Sequence, residues 1–179
     1  MRIIAGQWRG RSLLAPRGDN TRPTADRARE ALFSMLTSRL GSLEGLAVAD
    51  LFAGSGALGL EALSRGAASC LFVEQDKPAL DALRANIATF GATTATVRAG
   101  SVLALGPAPA PLDLLLLDPP YRTGAGAVAL DKLARLGWIG PNSWMSLETA
   151  RDEEPNVPGL TVQASRIHGA ARITLLTRD

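Results

Sequence analysis

A glycine-rich stretch of the chain has the residue types and the spacing of a cofactor-binding loop. Gly54, Gly56 and Gly59 match the pattern G-x-G-x-x-G and follow a short apolar run that predicts a buried strand. Glycines at these positions allow a tight turn and a close approach of a ligand to the backbone. Glu74 ends the next predicted strand, where a carboxylate accepts hydrogen bonds from both hydroxyls of a ribose. The pattern predicts an adenosine-type cofactor, bound across the carboxyl ends of the strands.

An acidic residue before the glycines indicates which cofactor this is. Asp50 lies four residues before Gly54, at the end of the first predicted strand of the sheet. A carboxylate there repels the pyrophosphate of a dinucleotide, but it suits the amino group and the sulfonium cation of S-adenosylmethionine. We therefore predict S-adenosylmethionine as the cofactor. The glycine spacing alone also fits an NAD-linked oxidoreductase, and a glycine-rich turn without a ligand is the plainest interpretation.

A second motif follows the leucine-rich run Leu112–Leu117, which predicts a strand buried on both faces. Asp118, Pro119, Pro120 and Tyr121 come directly after it, so they are expected at the same edge of the sheet as the glycines. The prolines fix the local backbone, which makes the Asp118 carboxylate and the Pro119 carbonyl two acceptors in a stiff frame. Tyr121 adds a flat face for stacking.

Two acceptors in a stiff frame suit the exocyclic amine of a nucleobase. The nitrogen of that amine is a poor nucleophile, because its lone pair is delocalised into the ring, and acceptors on its hydrogens direct the lone pair outward. Stacking on Tyr121 would hold a base flipped out of its helix. Direct in-line methyl transfer then depends mainly on positioning and needs no metal. Asp118 stabilises the positive charge that develops on the nitrogen.

The acceptor frame by itself leaves the substrate open. It fits guanine N2 and adenine N6 equally, so an adenine-N6 methyltransferase of DNA or RNA is the close alternative to a guanine-N2 enzyme. A plain turn after a strand is the structural interpretation of the same four residues. A binding module for RNA without catalytic activity is a further class, which the glycine loop, Glu74 and Asp118 together argue against.

Positive charge is concentrated at the start of the chain. Residues 1–30 contain seven Arg against three acidic residues, a local net charge of +4, whereas the whole chain of 179 residues carries +2. A basic front on a body of slightly negative charge predicts a polyanionic partner. The alternative is an arginine-rich solvated surface, because only two of the basic residues of the chain are Lys.

Apolar periodicity predicts the elements that position these motifs. Helices are predicted in the ranges 24–40, 58–64, 77–90 and 127–136, and strands in the ranges 46–52, 68–74, 94–99, 112–117, 143–148, 160–166 and 171–177. This alternation indicates an α/β fold with a mostly parallel sheet and helices on both faces. Residues 2–5 and 12–15 are predicted to form a hairpin, and His168 to lie in a hairpin turn as a structural or surface residue.

Length and composition favour a single domain in the cytoplasm. We expect residues 1–20 to form a basic hairpin extension that adds contact surface rather than core, and residues 21–179 to form the catalytic domain. Removing the extension should then leave the fold and cofactor binding intact. The one cysteine, Cys70, is expected to be a buried apolar residue. No apolar run is long enough for a membrane helix or a signal peptide, and we expect a monomer.

Five blocks of residues occur in a characteristic order. They are Arg2-Ile3-Ile4-Ala5-Gly6, Trp8-Arg9-Gly10-Arg11, Arg22-Pro23-Thr24-x-Asp26-Arg27-x-Arg29-Glu30, the stretch from Asp50 to Ala62, and Asp118-Pro119-Pro120-Tyr121. Together they resemble the RsmD family, bacterial methyltransferases that modify the exocyclic N2 of a guanine in 16S ribosomal RNA. The glycine and Asp-Pro-Pro motifs are shared with many amino-methyltransferases. The N-terminal blocks are far more specific, and they favour guanine N2 over adenine N6.

The resemblance implies a fold, a cofactor and a set of site residues. The fold is the Rossmann-like class I methyltransferase fold, with seven strands and an antiparallel last strand. The residues expected to bind S-adenosylmethionine are Thr24, Asp50, Phe52, Ala53, Gly54, Ser55, Gly56, Glu74, Gln75 and Ser101. Those expected to hold the guanine are Asp118, Pro119, Pro120 and Tyr121. Those expected to contact RNA are Arg9, Arg11, Arg22, Arg27 and Arg29.

The resemblance also implies partners, and the chain departs from the wider pattern at one place. The expected partners are the 16S RNA of the small ribosomal subunit or its assembly intermediate, and ribosomal proteins that complete the site. Where many methyltransferases have Asp or Asn to contact the adenine amine, this chain has Gly100-Ser101-Val102. Ser101 is still able to form a hydrogen bond there. Glu148 ends a strand on the same side, where a role toward RNA and a structural role are both open.

Overall fold

The computed structural model describes residues 1–18 and 23–179, and for Pro23 and Thr24 it describes the backbone only. The helices are α1 (Pro23–Leu40), α2 (Ala57–Ser64), α3 (Lys77–Phe90) and α4 (Ala125–Arg135), with a short 3₁₀ turn at Val102–Ala104. The strands are β1 (Ala47–Leu51), β2 (Ser69–Glu74), β3 (Ala95–Ala99), β4 (Leu112–Leu117), β5 (Ile139–Ala150), β6 (Leu160–His168) and β7 (Ala171–Arg178). These elements agree in type and order with those predicted from the sequence.

The strands form one seven-stranded sheet in the order β3-β2-β1-β4-β5-β7-β6. Neighbouring strands from β3 to β5 are parallel, and β7 runs antiparallel to both β5 and β6. The prediction of a Rossmann-like sheet with an antiparallel last strand is therefore confirmed. The chain progresses in opposite directions from β1 and from β4, so a switch point lies between these two central strands. Ligands of open α/β sheets bind outside the carboxyl ends of the strands at such a point.

Apolar side chains cover both faces of the sheet. Phe33 of α1, Leu60 of α2 and Leu83 of α3 are fully buried on one face. Leu130 and Leu133 of α4 are buried on the other face. Each fully buried side chain of this size stabilises the fold by about 1.5–3 kcal/mol relative to an exposed one. The sheet edge between the two helical layers is therefore a rigid support for the loops that follow the strands.

Local signals define the ends of α3 clearly. The carboxylate of Asp76 accepts a hydrogen bond from the backbone N–H of Ala79, and Pro78 occupies the first turn. Gly91 ends the helix in the left-handed conformation, with φ 62°. These signals are local in sequence, which explains why the predicted bounds of this helix agree with the observed ones.

The first eighteen residues pack against the α2–α3 face of the sheet. Ile3 and Leu13 are buried in the apolar core, with 2% and 7% of their surface exposed. The fully buried carboxylate of Glu61 accepts hydrogen bonds from the backbone N–H groups of Ile4 and Ala5, at 2.9 and 3.0 Å. The expectation that this segment adds contact surface rather than core is therefore wrong. Its removal would expose apolar side chains and take two hydrogen-bond donors from a buried carboxylate.

The predicted N-terminal hairpin is present in a reduced form. Its one bridge joins Arg2 to Ser12 in antiparallel orientation, and the backbone N–H of Leu13 donates to the carbonyl of Met1 at 2.9 Å. The division of the chain at residue 20 falls among residues 19–22, which lie outside the described part, and it stays a prediction. Helix α1 begins at Pro23, so Thr24 lies within its first turn rather than before it as the predicted N-cap.

The longest strand differs most from its prediction. β5 begins at Ile139 rather than near Ser143, because an irregularity in its pairing with β4 accommodates Pro141. The Ser143 hydroxyl bridges the irregularity by donating to the carbonyl of Leu112 and accepting from the N–H of Gly140. None of the helices in the described part of the chain combines the length and the apolar character needed to cross a membrane.

Candidate active site

Acidic side chains follow one another along the carboxyl edge of the sheet. In the register of the four central strands, the last aligned residues are Val73 of β2, Leu51 of β1, Leu117 of β4 and Leu147 of β5. The residues that come directly after them are Glu74, Phe52, Asp118 and Glu148. Because aligned residues of parallel strands point to the same face, the three carboxylates share the face covered by α1, α2 and α3. Asp50, two residues before Phe52, shares this face as well.

A cleft of about 950 Å³ opens at this edge. Its floor is formed by Asp50 and the loop from Phe52 to Ser55, and one wall by Asp118, Tyr121 and Glu148. Helix α1 and the N-terminal segment form the opposite wall, and the tip of the β6–β7 hairpin closes one end through His168. The cleft has the size of a typical small-molecule site. The structure thus brings the predicted cofactor loop together with Asp118 and Tyr121 of the predicted substrate motif, whereas Pro119 and Pro120 line a separate cavity of about 150 Å³.

The three glycines of the loop have two different functions in the fold. A Cβ at Gly59 would lie 2.3 Å from Cε1 of Phe72 and 2.7 Å from Sγ of Cys70, so this glycine allows α2 to pack on the sheet. Gly56, with φ 87°, is similar: a Cβ there would lie 2.5 Å from Cδ1 of Leu83. No atom lies within 4 Å of a Cβ built on Gly54, so this position leaves the cleft open to a ligand.

Asp50 is a buried carboxylate with one unused oxygen. Its Oδ2 accepts a hydrogen bond from the N–H of Gly59 at 2.8 Å, whereas its Oδ1 has no partner among the described residues. Burial is the main cause that raises the pKa of Asp50, and the charges of Asp118 and Glu74 raise it further. A buried acceptor surrounded by other carboxylates favours a ligand that brings a positive charge or a hydrogen-bond donor.

The other predicted cofactor residues lie around the loop. Glu74 supports the loop from β2: its Oε2 accepts from the N–H of Gly54 at 2.7 Å, and its Oε1 accepts from the N–H groups of Gln75 and Asp76, both at 2.9 Å. A carboxylate offers about four acceptor positions, so at least one remains for a ribose hydroxyl. The hydroxyl of Ser101 accepts from the N–H of Leu103 at 3.2 Å and caps the 3₁₀ turn.

The backbone of the loop is strained at Phe52 and is held in place by hydrogen bonds from the surrounding fold. Phe52 has φ 62°, a left-handed conformation that is unusual for a bulky residue and typical of functional loops. The next residue, Ala53, donates its N–H to the carbonyl of Val73 at 3.0 Å. The side-chain amide of Asn86, which is 1% exposed, donates to the carbonyls of Ser55 and Leu14, both at 2.9 Å. Sequence reasoning missed Asn86, because its partners lie far away along the chain.

The Asp-Pro-Pro-Tyr segment stands more openly in the cleft. Asp118 is exposed on its cleft side, while Pro119 is buried beneath it. The Pro120 carbonyl accepts from the Thr123 hydroxyl at 2.8 Å, whereas the Pro119 carbonyl has no hydrogen-bond partner among the described residues. Arg122 ends the segment with φ 60° and donates its N–H to the Glu153 carboxylate at 3.1 Å. Two acceptors, the Asp118 carboxylate and the Pro119 carbonyl, thus remain available.

Glu148 is a site residue whose role the sequence left open. The Tyr121 hydroxyl donates a hydrogen bond to its Oε1, and both residues line the cleft beside Asp118. Partial desolvation by the walls of the cleft, together with the charge of Glu148, raises the pKa of Asp118 to about 8. Desolvation also raises the pKa of Glu148, against the opposing effect of the Tyr121 hydroxyl. The excess of negative charge at this edge would be relieved by a cationic ligand.

The predicted RNA-binding arginines fall into two groups. Arg9, Arg11 and Arg27 are exposed, and the Arg11 guanidinium lies 4.5 Å from the centre of the Phe90 ring. Arg29 is 5% exposed, and its guanidinium donates to the carbonyl of Arg2 and to Asp26. The expectation that Arg29 contacts RNA is therefore wrong, because a residue fixed inside the fold cannot reach a phosphate. Arg22 and the side chain of Thr24 lie outside the described part of the structure.

Comparison with known proteins places this geometry in a family. The family model described as Conserved hypothetical protein 95 matches residues 1–177. Ribosomal RNA small subunit methyltransferase D of Escherichia coli (strain K12) is 36% identical over 182 aligned residues, which cover 100% of this chain and 90% of the relative. The protein of the same name from Haemophilus influenzae is also 36% identical, over 86% of this chain and 80% of the relative.

Solved structures agree with the sequence relatives. The structure of yhhF from Escherichia coli superposes with a TM-score of 0.87 at 36% identity, covering 100% of this chain and 98% of the other. Magnesium protoporphyrin IX methyltransferase from Synechocystis, solved with bound SAM, has a TM-score of 0.69 at 14% identity, over 90% of this chain and 87% of the other. The second likeness is one of fold alone.

Proposed function

The chain belongs to the RsmD family, and from this membership and the geometry of the cleft we propose that it transfers a methyl group from S-adenosylmethionine to the exocyclic N2 of a guanine in 16S ribosomal RNA. The observation that carries the proposal is the convergence of two motifs on one cleft. The open position at Gly54 and the unused oxygen of Asp50 lie on its floor, and the Asp118 carboxylate and the Tyr121 ring lie beside them.

The residues present fit S-adenosylmethionine better than a dinucleotide. The cofactor supplies an electrophilic methyl group on a sulfonium and also carries an ammonium group, and both charges match a cleft with several carboxylates. In this proposal Asp50 and the loop from Phe52 to Gly56 hold the methionine part, and Glu74 holds the ribose. Gln75, Ser101 and Thr24 complete the site around the adenosine. The same carboxylates would repel the pyrophosphate of NAD, which argues against the oxidoreductase.

Asp118 and the Pro119 carbonyl prepare the substrate amine. Each accepts a hydrogen bond from one hydrogen of the amine, which draws its lone pair away from the ring and directs it into the cleft. The exposed ring of Tyr121, with 38% of its surface accessible, offers a stacking face for a flipped base. As the nitrogen becomes positively charged, the ionised Asp118 carboxylate stabilises that charge, and the proton that the nitrogen loses passes to solvent through the open cleft.

The substrate is proposed from the names of the relatives and from the exposed arginines. Relatives that span most of this chain are named ribosomal RNA small subunit methyltransferase D. Arg9 and Arg27 are exposed, and their guanidinium groups make no hydrogen bond or ion pair with described residues, so they are free to contact phosphates. We propose that the partner is the small ribosomal subunit or its assembly intermediate, and that ribosomal proteins complete the site. We also propose that the enzyme is a monomer in the cytoplasm.

Methylation of ribosomal particles tests the reaction directly. The protein is incubated with S-adenosylmethionine and small ribosomal subunits from cells that lack their own enzyme, and the RNA is digested for mass spectrometry. We expect N2-methylguanosine at a single position. N6-methyladenosine instead would support the adenine alternative, and absence of methylation in both subunits and free 16S RNA would overturn the proposal. In parallel, calorimetry should detect binding of S-adenosylhomocysteine and none of NAD.

A salt titration tests the contact with RNA. Binding of the subunits should weaken with salt by a log–log slope of about 0.7–0.9 per phosphate contact. Arg9→Ala and Arg27→Ala should each lower the slope by about one contact. Arg135→Ala is the matched control, because Arg135 is exposed on α4 at the opposite face of the sheet and pairs with Asp131 at 2.8 Å. Equal slopes for all three variants would show that Arg9 and Arg27 do not contact RNA and that the basic charge of residues 1–30 only reflects an arginine-rich composition.

A further inference from the structure

We propose that Glu148 is the residue by which this site accepts guanine and rejects adenine, because its carboxylate receives the N1–H of guanine while Asp118 holds the neighbouring amine. The proposal rests on the proposed function, and it assigns a specificity-determining residue to the same site. It also decides between the two substrates that the acceptor frame of Asp118 and Pro119 leaves open.

The positions of the two carboxylates carry the proposal. Leu117 of β4 lies opposite Leu147 of β5, so Asp118 and Glu148 are level with each other on adjacent strands and face the same cleft. Adjacent strands are about 4.8 Å apart. Side chains that leave adjacent strands at the same level form a pair of acceptors along one wall of the cleft, close enough for the charge of Glu148 to act on Asp118.

The hydrogen bonds of Glu148 leave one of its oxygens free. The Tyr121 hydroxyl donates to Oε1, which fixes the carboxylate and favours its ionised form. Oε2 makes no hydrogen bond to a described residue. Because the ring of Tyr121 belongs to the proposed stacking face, the same side chain positions both the plane of the base and the acceptor that reads its edge.

The Watson–Crick edges of the purines differ at the atom that would meet Glu148. In guanine the N2 amine lies next to N1–H, so two donors stand side by side and match two adjacent carboxylates. In adenine the N6 amine lies next to a bare N1, whose lone pair would face the second carboxylate and be repelled. Asp118 alone fits both bases, whereas Asp118 together with an ionised Glu148 fits guanine only.

The test replaces one base in an assembled particle. Once the methylated guanine is mapped, small subunits are assembled around 16S RNA that carries either guanine or 2-aminopurine at that position. 2-Aminopurine keeps the 2-amino group but has a bare N1. Single-turnover methylation by the wild-type protein should be slower on 2-aminopurine by about tenfold or more, the usual effect of losing a hydrogen bond to a charged group.

Variants separate reading of the base from support of Tyr121. Glu148→Gln should bring the ratio of the guanine rate to the 2-aminopurine rate down by about tenfold, because an amide can turn its N–H toward a bare N1. Glu154→Gln is the matched control: this glutamate lies nearby after β5, is 83% exposed and pairs with Arg172, and the ratio should not change.

Each result has a defined consequence. Equal rates of the wild-type protein on guanine and 2-aminopurine would overturn the proposal without any variant, while leaving the methyltransferase activity in place. An unchanged ratio in Glu148→Gln would also overturn it and reduce Glu148 to a support for Tyr121. Guanine-containing subunits that stay unmethylated by the wild-type protein would instead contradict the proposed function on which the inference rests.

Discussion

The glycine loop and the Asp-Pro-Pro-Tyr loop follow adjacent central strands, yet the fold holds them in different ways. In the glycine loop the N–H of Ala53, the N–H of Gly54 and the carbonyl of Ser55 all bond to groups of the surrounding fold. The loop that begins at Asp118 is stiffened by its own prolines and is tied at its far end, where Tyr121 meets Glu148.

This difference separates two tasks that one cleft must perform. The glycine loop is part of the packed core, so its shape is set before any ligand arrives and a change in it should affect stability and cofactor affinity together. The Asp-Pro-Pro-Tyr loop keeps the Asp118 carboxylate free toward the cleft, so a change there should affect turnover with little effect on stability. Substitutions in the two loops should therefore differ in which quantity they change, stability and cofactor affinity or turnover, as well as in the size of the change.

The largest effect is expected at Asp118. Asp118→Ala should lower turnover at saturating cofactor by about 10²-fold or more, because it removes a contact that stabilises charge in the transition state. The midpoint of thermal unfolding and the affinity for S-adenosylhomocysteine should change little, since the side chain is exposed to the cleft. Single-turnover methylation assays with calorimetry as the control measure this. A near-normal rate would make Asp118 a turn residue only.

A pair of glycine variants tests the other loop. Gly59→Ala should destabilise the fold by about 1–3 kcal/mol, because its Cβ would overlap the buried ring of Phe72. Gly54→Ala should cost only about 1 kcal/mol, for its left-handed backbone, while strongly weakening cofactor binding. Urea unfolding and calorimetry on both variants provide the comparison. If the two lose stability equally, packing does not define the shape of this loop.

Glu74 is expected to have a smaller effect, mainly on cofactor affinity, with a modest loss of stability because it also holds the N–H groups of Gly54, Gln75 and Asp76. Glu74→Ala removes the acceptor for the N–H of Gly54 and an acceptor for the ribose, so the dissociation constant for S-adenosylhomocysteine should rise about tenfold. Turnover at saturating cofactor should stay near that of the wild type. Calorimetry measures the first quantity, and an unchanged affinity would remove Glu74 from the ribose site.

The smallest effect concerns the pH dependence of stability. The folded protein raises the pKa of Asp118 from its ordinary value of 3.8 to about 8, so between these values it binds a proton that the unfolded chain releases. This contribution to stability is present below the ordinary pKa and is lost as the pH rises toward 8. Because water reaches the side chain in the cleft, the loss should stay below about 1 kcal/mol.

The comparison of urea unfolding at pH 5 and pH 8 isolates this effect. Asp118→Asn cannot titrate, so its loss of stability between the two values should be smaller than that of the wild type, whose Asp50 and Glu148 also have a raised pKa. An equal or larger loss in the variant would show that Asp118 is not the group responsible.

Features with local signals were predicted from the sequence, and features that depend on distant partners were not. The bounds of α3 follow from Asp76 and Gly91, and the order of strands and helices follows from apolar periodicity. Arg29 has the same appearance in the sequence as Arg27, and only the packing of α1 against the N-terminal segment shows that it is buried. The pairing of Tyr121 with Glu148 spans 27 residues and depends on strand register.

The site itself divides in the same way. The glycine loop and the Asp-Pro-Pro-Tyr segment can be recognised from the sequence because each is a contiguous motif, and the sheet topology brings them to one cleft. Asn86, which bonds to both Ser55 and Leu14, has no motif around it that marks its role. Residues that support a loop through contacts in the folded structure have no fixed spacing from it in the sequence, so a single sequence does not reveal them.

The docking of the first eighteen residues sets an order of events during synthesis. Ile4 and Leu14 leave the ribosome before their partners Glu61 and Asn86, which follow 57 and 72 residues later. At about 5–20 residues per second, the segment waits for several seconds before its binding surface exists. The segment therefore docks only after β1, α2, β2 and α3 have been synthesised, and until then Ile3 and Leu13 stay exposed to chaperones and to neighbouring chains.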